Sequence, residues 1–245
     1  MTNKIAAIYE YHDLSGVVVH QTVRYQFKRF TQRRPDGKGG HIYSLQGIEP
    51  VLYRLPEITR AINIGRPIFL VEGEKDADNL VKLGFEATTC AMGAGKWHRS
   101  YTEALKGALM LICPDKDIAG WKHALTVADE IYFITECVKI LLLPGPGKDV
   151  SDWIEAGGTK EQLEELADDA SIHMPLEYRR EYEARLKTMR PGELIEELEW
   201  LKTAPLRHQP KLPLIKYQIK FWQQVLAYEI PKKGGIDITY ATART

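Results

Sequence analysis

The chain has 245 residues, 44% hydrophobic and 27% charged, values of an ordinary globular protein that exclude wholesale disorder. Its 33 Lys and Arg balance 33 Asp and Glu, so the formal net charge is zero. At roughly 150 residues per domain the length suits one large domain or two small ones, and no apolar run approaches the roughly 20 residues that span a bilayer.

The first segment reads as β structure. Residues 5–11 and 17–27 alternate and are rich in Val, Ile and Tyr, with residues 12–16 as the turn between them. Residues 35–40, Pro-Asp-Gly-Lys-Gly-Gly, are turn chemistry, and a third short strand is expected at 41–45. A helical stretch over 56–64 hands over to a segment where strand and helix alternate. Strands are predicted at 67–71, 86–90, 108–113 and 138–143. Helices are predicted at 75–83, stopped by Gly84, at 100–106 with Ser100 as N-cap, and at 119–134. Shorter helices follow at 152–155 and 160–167. Continuous apolar strands between helices signal a parallel sheet covered on both faces. Residues 176–189, 193–202 and 214–230 have helical periodicity, whereas the tail 232–245 shows no clear pattern. The expected division is a basic β-rich segment at 1–65, an α/β domain at 66–172 and a helical region at 173–245.

Cys90, Cys113 and Cys137 lie in or beside apolar segments, and the absence of any CxxC excludes a zinc ribbon or a thioredoxin-type site. Buried thiols in a reducing compartment are expected. The first residues lack the layout of a signal peptide. The expected location is therefore cytoplasmic, with no membrane partner.

Neutrality is a cancellation along the chain. Residues 1–66 carry ten basic and five acidic side chains, residues 67–172 carry 10 and 19, and residues 173–245 carry 13 and 9. An acidic middle between basic ends suits a cation-binding centre flanked by arms for a polyanion. In a parallel α/β sheet ligands sit outside the carboxyl ends of the strands, and three of the expected strands deliver acids there: Glu72-Gly-Glu-Lys-Asp76, Asp115-Lys-Asp117 and Lys148-Asp-Val-Ser-Asp152. Hard cations such as Mg²⁺ take carboxylate oxygens, and two of them can activate a hydroxyl and stabilise a leaving pyrophosphate. Helix capping accounts for one acid per helix and poorly for three acidic strand ends. Gly73 and Gly120 leave room for close approach. In the basic first segment Arg24, Lys28, Arg29, Arg33 and Arg34 are interleaved with Tyr25, Phe27 and Phe30, a mix that grips phosphates and stacks on single-stranded bases. Near the other end Lys216, Lys220, Phe221 and Trp222 cluster, with the aromatics expected in a core.

Residues 71–77, Val-Glu-Gly-Glu-Lys-Asp-Ala, followed by Asp115-Lys-Asp-Ile-Ala-Gly120, resemble the two signature motifs of the Toprim domain of bacterial-type primases, topoisomerases and some nucleases. The turn at 93–97, the stretch 148–154, Gly157-Gly-Thr159, and residues 33–40 through 51–57 make the likeness closer to primase-like proteins of phages and mobile elements. It covers about residues 5–170. The resemblance implies a Rossmann-like Toprim fold, a mostly parallel sheet with helices on both faces, preceded by a small antiparallel β segment and followed by helices. It implies primer synthesis on single-stranded DNA from NTPs with Mg²⁺ or Mn²⁺. Glu72 is then the acid/base and a metal-linked residue, Asp115 and Asp117 the metal pair, and Asp76 a supporting acid. Asp149 and Asp152 stand in the place of a further metal-binding pair, spaced by two residues rather than one. Lys75, Lys116 and Lys148 are candidates for nucleotide phosphates, and the five basic residues of the first segment for template. Such primases usually carry a zinc-binding module, and this chain has no matching Cys/His cluster; Gly93-Ala-Gly-Lys96 is not a P-loop, since Trp97 replaces Ser/Thr. A replicative helicase or a separate zinc-containing or DNA-binding subunit is therefore an expected partner. The same acids also suit a metal-dependent nuclease, and a non-catalytic single-strand-binding accessory is the third alternative.

Overall fold

Alternation in the first segment produces strands β1 (Ile5–His12) and β2 (Val18–Tyr25), paired antiparallel. Their turn is closed by Asp13, whose carboxylate accepts from the amides of Ser15 and Val17, and by Gly16 at a φ of 84° that favours glycine. In this computed structural model residues 4–26, 29–91, 97–216, 218–220 and 223 are described. The antiparallel sheet has four strands rather than the three expected, because β3 (Phe30–Pro35) lies between β2 and the two-residue β4 (His41–Ile42). Polar β3 has almost no apolar alternation. It is held by its ladder to β2 and by Arg33, which donates to Gln21 at 2.7 Å while Gln21 donates to Glu10 at 2.8 Å.

Helix α1 (Leu55–Asn63) leads into four parallel strands in the order β6 (Glu86–Thr88), β5 (Pro67–Leu70), β7 (Leu109–Ile112), β8 (Cys137–Ile140). Between them run α2 (Glu74–Lys82), α3 (Arg99–Ala104) and α4 (Ile118–Ile131), and α5 (Val150–Glu155) and α6 (Lys160–Asp169) follow. The cap of α3 is His98, whose ring nitrogen accepts from the Ser100 amide; Ser100 itself lies inside the first turn and donates to the Pro50 carbonyl. Alternate residues of each strand feed two cores. Ile68, Leu70, Met110, Ile112 and Val138 pack with α1, α3 and α4, whereas Phe69 and Leu111 pack with α2, α5 and α6. The second core also takes Tyr9, Tyr11 and Tyr53, so the antiparallel sheet and the parallel sheet share buried apolar surface. All three cysteines are buried.

The chain divides into two compact units, Met1–His173 and Met174–Thr245. The second contains α7 (Leu176–Thr188), α8 (Pro191–Leu201), a short 3-10 turn at Leu206–His208 and a further helical segment from 211. Tyr182, Leu186, Leu194, Leu201 and Ile215 form its core. Lys211, 3% exposed, holds its ammonium 5.0, 4.6 and 5.4 Å from the ring centres of Tyr178, Tyr182 and Trp200. Lys216 and Lys220 are exposed. Phe221, Trp222, the tail from 232 and residues 93–96 of the glycine-rich turn lie outside the described residues. No helix among the described residues is long and apolar enough to cross a membrane.

Candidate active site

From β5 the chain crosses to β6 on one side and then to β7 on the other, so the order of the sheet reverses between β5 and β7. A crevice opens outside the carboxyl ends at such a point. Register sets it up: Leu70 lies beside Ile112, and Ile112 beside Ile140, so three loops leave the sheet side by side. Glu72 is two residues past β5 and Asp115 three past β7. They meet, the Asp115 amide donating to Glu72 Oε1 at 3.1 Å. The third loop is tied in by the Lys116 amide, which donates to the Lys148 carbonyl at 2.9 Å. Lys148 Nζ then stands 3.1 Å from Asp115 Oδ2 and 3.1 Å from Asp117 Oδ2, bridging the two carboxylates.

The helix starts behind these loops use some of the same acids. Asp117 caps α4, accepting from the Gly120 amide at 2.8 Å. Gly120 has to be small: a Cβ there would strike Glu72 Oε1 and stand 2.6 Å from the Asp115 carbonyl oxygen. Asp149 caps α5 by accepting from the Asp152 amide at 2.8 Å, and Asp152 accepts from the Lys148 amide at 2.7 Å. The two-residue spacing of Asp149 and Asp152 is thus the spacing of a helix cap. Asp76, buried on α2, accepts from both the amide and the hydroxyl of Ser151 and so ties α2 to the first turn of α5. Ser151 and the bond from the Tyr11 hydroxyl to buried Glu74 at 2.8 Å are supports that sequence reasoning missed. Ser151 stood inside a recognised block, whereas nothing local links Tyr11 to Glu74.

Burial and crowding set the charge state. Burial, then the Asp115 charge, pushes the Glu72 carboxyl above its ordinary range, against the Asp115 amide and Lys148. Burial also raises Asp115, outweighing its bond to Lys148, while Asp149 and Asp117 add repulsion. Asp76 is raised by burial, which its bonds to Ser151 oppose. Exposed Asp117 is lowered by the Gly120 amide and by Lys148. Lys148 is raised by its bonds to Asp115 and Asp117. Asp115 and Asp117, which share the Lys148 ammonium, and Glu72, which accepts from the Asp115 amide, are hard oxygen donors of the kind that Mg²⁺ or Mn²⁺ takes. As the side chains stand, no three His, Cys, Asp or Glu among the described residues are grouped to hold an ion.

The other candidates separate. Lys75 pairs with Glu155 at 3.2 Å, and Lys116 Nζ donates to the Gly145 carbonyl at 2.6 Å, so of the three lysines only Lys148 sits among the acids. On the antiparallel sheet Arg24 is opposite Phe30, with its guanidinium 5.8 Å from the ring centre, and Arg34 is on the same face by strand alternation. That face carries Tyr9 and Tyr11. Arg33 points to the opposite face beside Gln21, and Arg29 lies over Tyr25. Lys28 is outside the described residues.

No protein-family model matches the chain, and no curated protein matches its sequence. Solved structures do. The zinc-binding and RNA polymerase domains of Aquifex aeolicus primase align with a TM-score of 0.55 at 21% identity, over 78% of this chain and 44% of that one. The E. coli primase catalytic core aligns with a TM-score of 0.54 at 17% identity, over 86% and 69%. A DnaG primase catalytic domain bound to single-stranded DNA aligns with a TM-score of 0.50 at 20% identity, over 92% and 69%. This chain therefore spans less than half of the Aquifex chain. A parallel four-stranded sheet with its helices, joined to an antiparallel sheet, gives this chain the primase-like Toprim fold of bacterial primase catalytic cores.

Proposed function

We propose that this chain is a template-directed nucleotidyltransferase that makes short primers on single-stranded DNA from NTPs. The observation that carries the reading is the pair Asp115 and Asp117, bridged by Lys148, at the β5/β7 crevice of a primase-type fold, with Glu72 accepting from the Asp115 amide. Glu72, Asp115 and Asp117, together with Asp149 and Asp152, would hold a Mg²⁺ or Mn²⁺ ion, which would supply positive charge to the triphosphate and lower the pKa of the attacking hydroxyl. Glu72, whose carboxyl burial raises, would take the proton from that hydroxyl. Asp76 keeps the third loop in place through Ser151. Lys148, Lys116 and Lys75 are the cations of this edge available to nucleotide phosphates. Arg24, Arg29, Arg33 and Arg34, with Lys28, are assigned to the template; the likeness to a primase domain bound to single-stranded DNA supports that assignment. A cytoplasmic setting, an origin in a phage or mobile element, and a helicase or zinc-containing partner complete the reading.

The test is primer synthesis by the full chain on several single-stranded templates with rNTPs or dNTPs and Mg²⁺ or Mn²⁺. Glu72→Gln and Asp115→Asn are expected to reduce synthesis at least about 100-fold, within the range of a lost general base, with unchanged circular dichroism. Wild-type protein that makes no product under any combination sinks the reading. Degradation of labelled DNA without NTPs reassigns the same acids to phosphodiester hydrolysis.

A further inference from the structure

We infer that Lys148 is a tethered stand-in cation: its ammonium neutralises Asp115 and Asp117, and a divalent ion must displace it to load. This rests on the reading of Glu72, Asp115 and Asp117 as a cation centre, and it adds the residue that governs how the centre fills.

Both bridges are 3.1 Å long and reach one oxygen of each aspartate, so a single positive charge serves two carboxylates. Half-buried Glu72 adds a third negative group through its contact with the Asp115 amide. One ammonium is under-matched to that charge. A divalent ion brings twice the charge to the same oxygens, and the two cations repel at such separations. Exchange costs little backbone movement. The Lys148 backbone is pinned on both sides, its amide to Asp152 and its carbonyl from Lys116, while its side chain is 57% exposed. A flexible four-carbon stem lets the ammonium leave while its Cα stays. Displaced, it remains beside the crevice and free to meet a nucleotide phosphate. The device therefore orders the events: the metal enters first, and the lysine becomes a phosphate ligand only afterwards.

The experiment is Mn²⁺ titration of the full chain without nucleotide, read by the EPR signal of free Mn²⁺, for wild type, Lys148→Met, Lys148→Arg and Lys116→Met. Lys148→Met is expected to tighten Mn²⁺ binding about tenfold, the equivalent of losing a competing interaction of about 1.4 kcal/mol. Lys148→Arg, which keeps the cation, stays within about threefold of wild type. Lys116→Met removes the same charge from a side chain whose ammonium donates to the Gly145 carbonyl rather than to either aspartate, and it also stays within about threefold. Equal or weaker Mn²⁺ binding by Lys148→Met, or equal tightening by Lys116→Met, overturns the inference and leaves the cation centre standing. Failure of all four proteins to bind Mn²⁺ overturns both.

Discussion

His20 is fully buried on β2, its ring stacked on Tyr11 at 4.1 Å, and neither of its nitrogens has a hydrogen-bond partner among the described residues. Burial lowers its pKa from an ordinary 6.5 to about 4. Among the described residues, no hydrogen bond to either nitrogen offsets the cost of a charged imidazole there. The folded pKa lies below the unfolded one. Stability from neutral His20 is therefore complete above pH 6.5 and is lost as the pH falls toward 4. Glu72 and Asp115 act in the opposite sense, since their raised carboxyls destabilise the fold only while ionised. The difference between wild type and His20→Phe isolates the histidine. Urea unfolding between pH 7 and 4 is expected to show wild type losing up to about 3 kcal/mol more than the variant; parallel curves refute it. At this scale Glu72, Asp115 and Asp117 stood out as candidates because their motifs are contiguous. Tyr11–Glu74 and Asp76–Ser151 were not, because their partners stand 63 and 75 residues apart.

Helix α5 shows how an element draws on residues that also suit chemistry. Asp149 accepts from the Asp152 amide and fixes the first turn, while Asp152 holds the Lys148 amide. Asn caps as well as Asp and Ala does not. Asp149→Ala is thus expected to lose about 1 kcal/mol in chemical denaturation, with Asp149→Asn close to wild type. Equal stability of all three proteins removes the cap as the role of Asp149. The parallel strands and most helices followed from apolar runs and their stops, such as Gly84 at a φ of 92°. Strand β3 did not, because Phe30-Thr-Gln-Arg-Arg-Pro35 carries its stability in the ladder to β2 rather than in a buried stripe. Arg33 and Arg34, adjacent in sequence, consequently point to opposite faces.

The two units have separate cores, with Tyr182, Leu186, Leu194, Leu201 and Ile215 together in the second. Separate cores predict separate unfolding. Leu194 is fully buried, and Leu194→Ala is expected to lower one calorimetric transition by about 2–5 kcal/mol while leaving the other in place. A single transition that moves as a whole contradicts this. Zero net charge likewise hides unlike parts, an acidic α/β segment between basic ends. Composition, periodicity and the order of the acidic motifs were enough to determine the α/β class and the parallel sheet and to single out candidate acids, because each is written in residues near one another in the chain. Only the tertiary structure decided that β5 and β7 are neighbours, that Lys148 bridges Asp115 and Asp117, and that Tyr9 and Tyr11 share a core with Phe69. Those facts depend on strand order and on packing across 31 to 60 residues of chain, a separation at which local side-chain pattern carries no information about which surfaces meet.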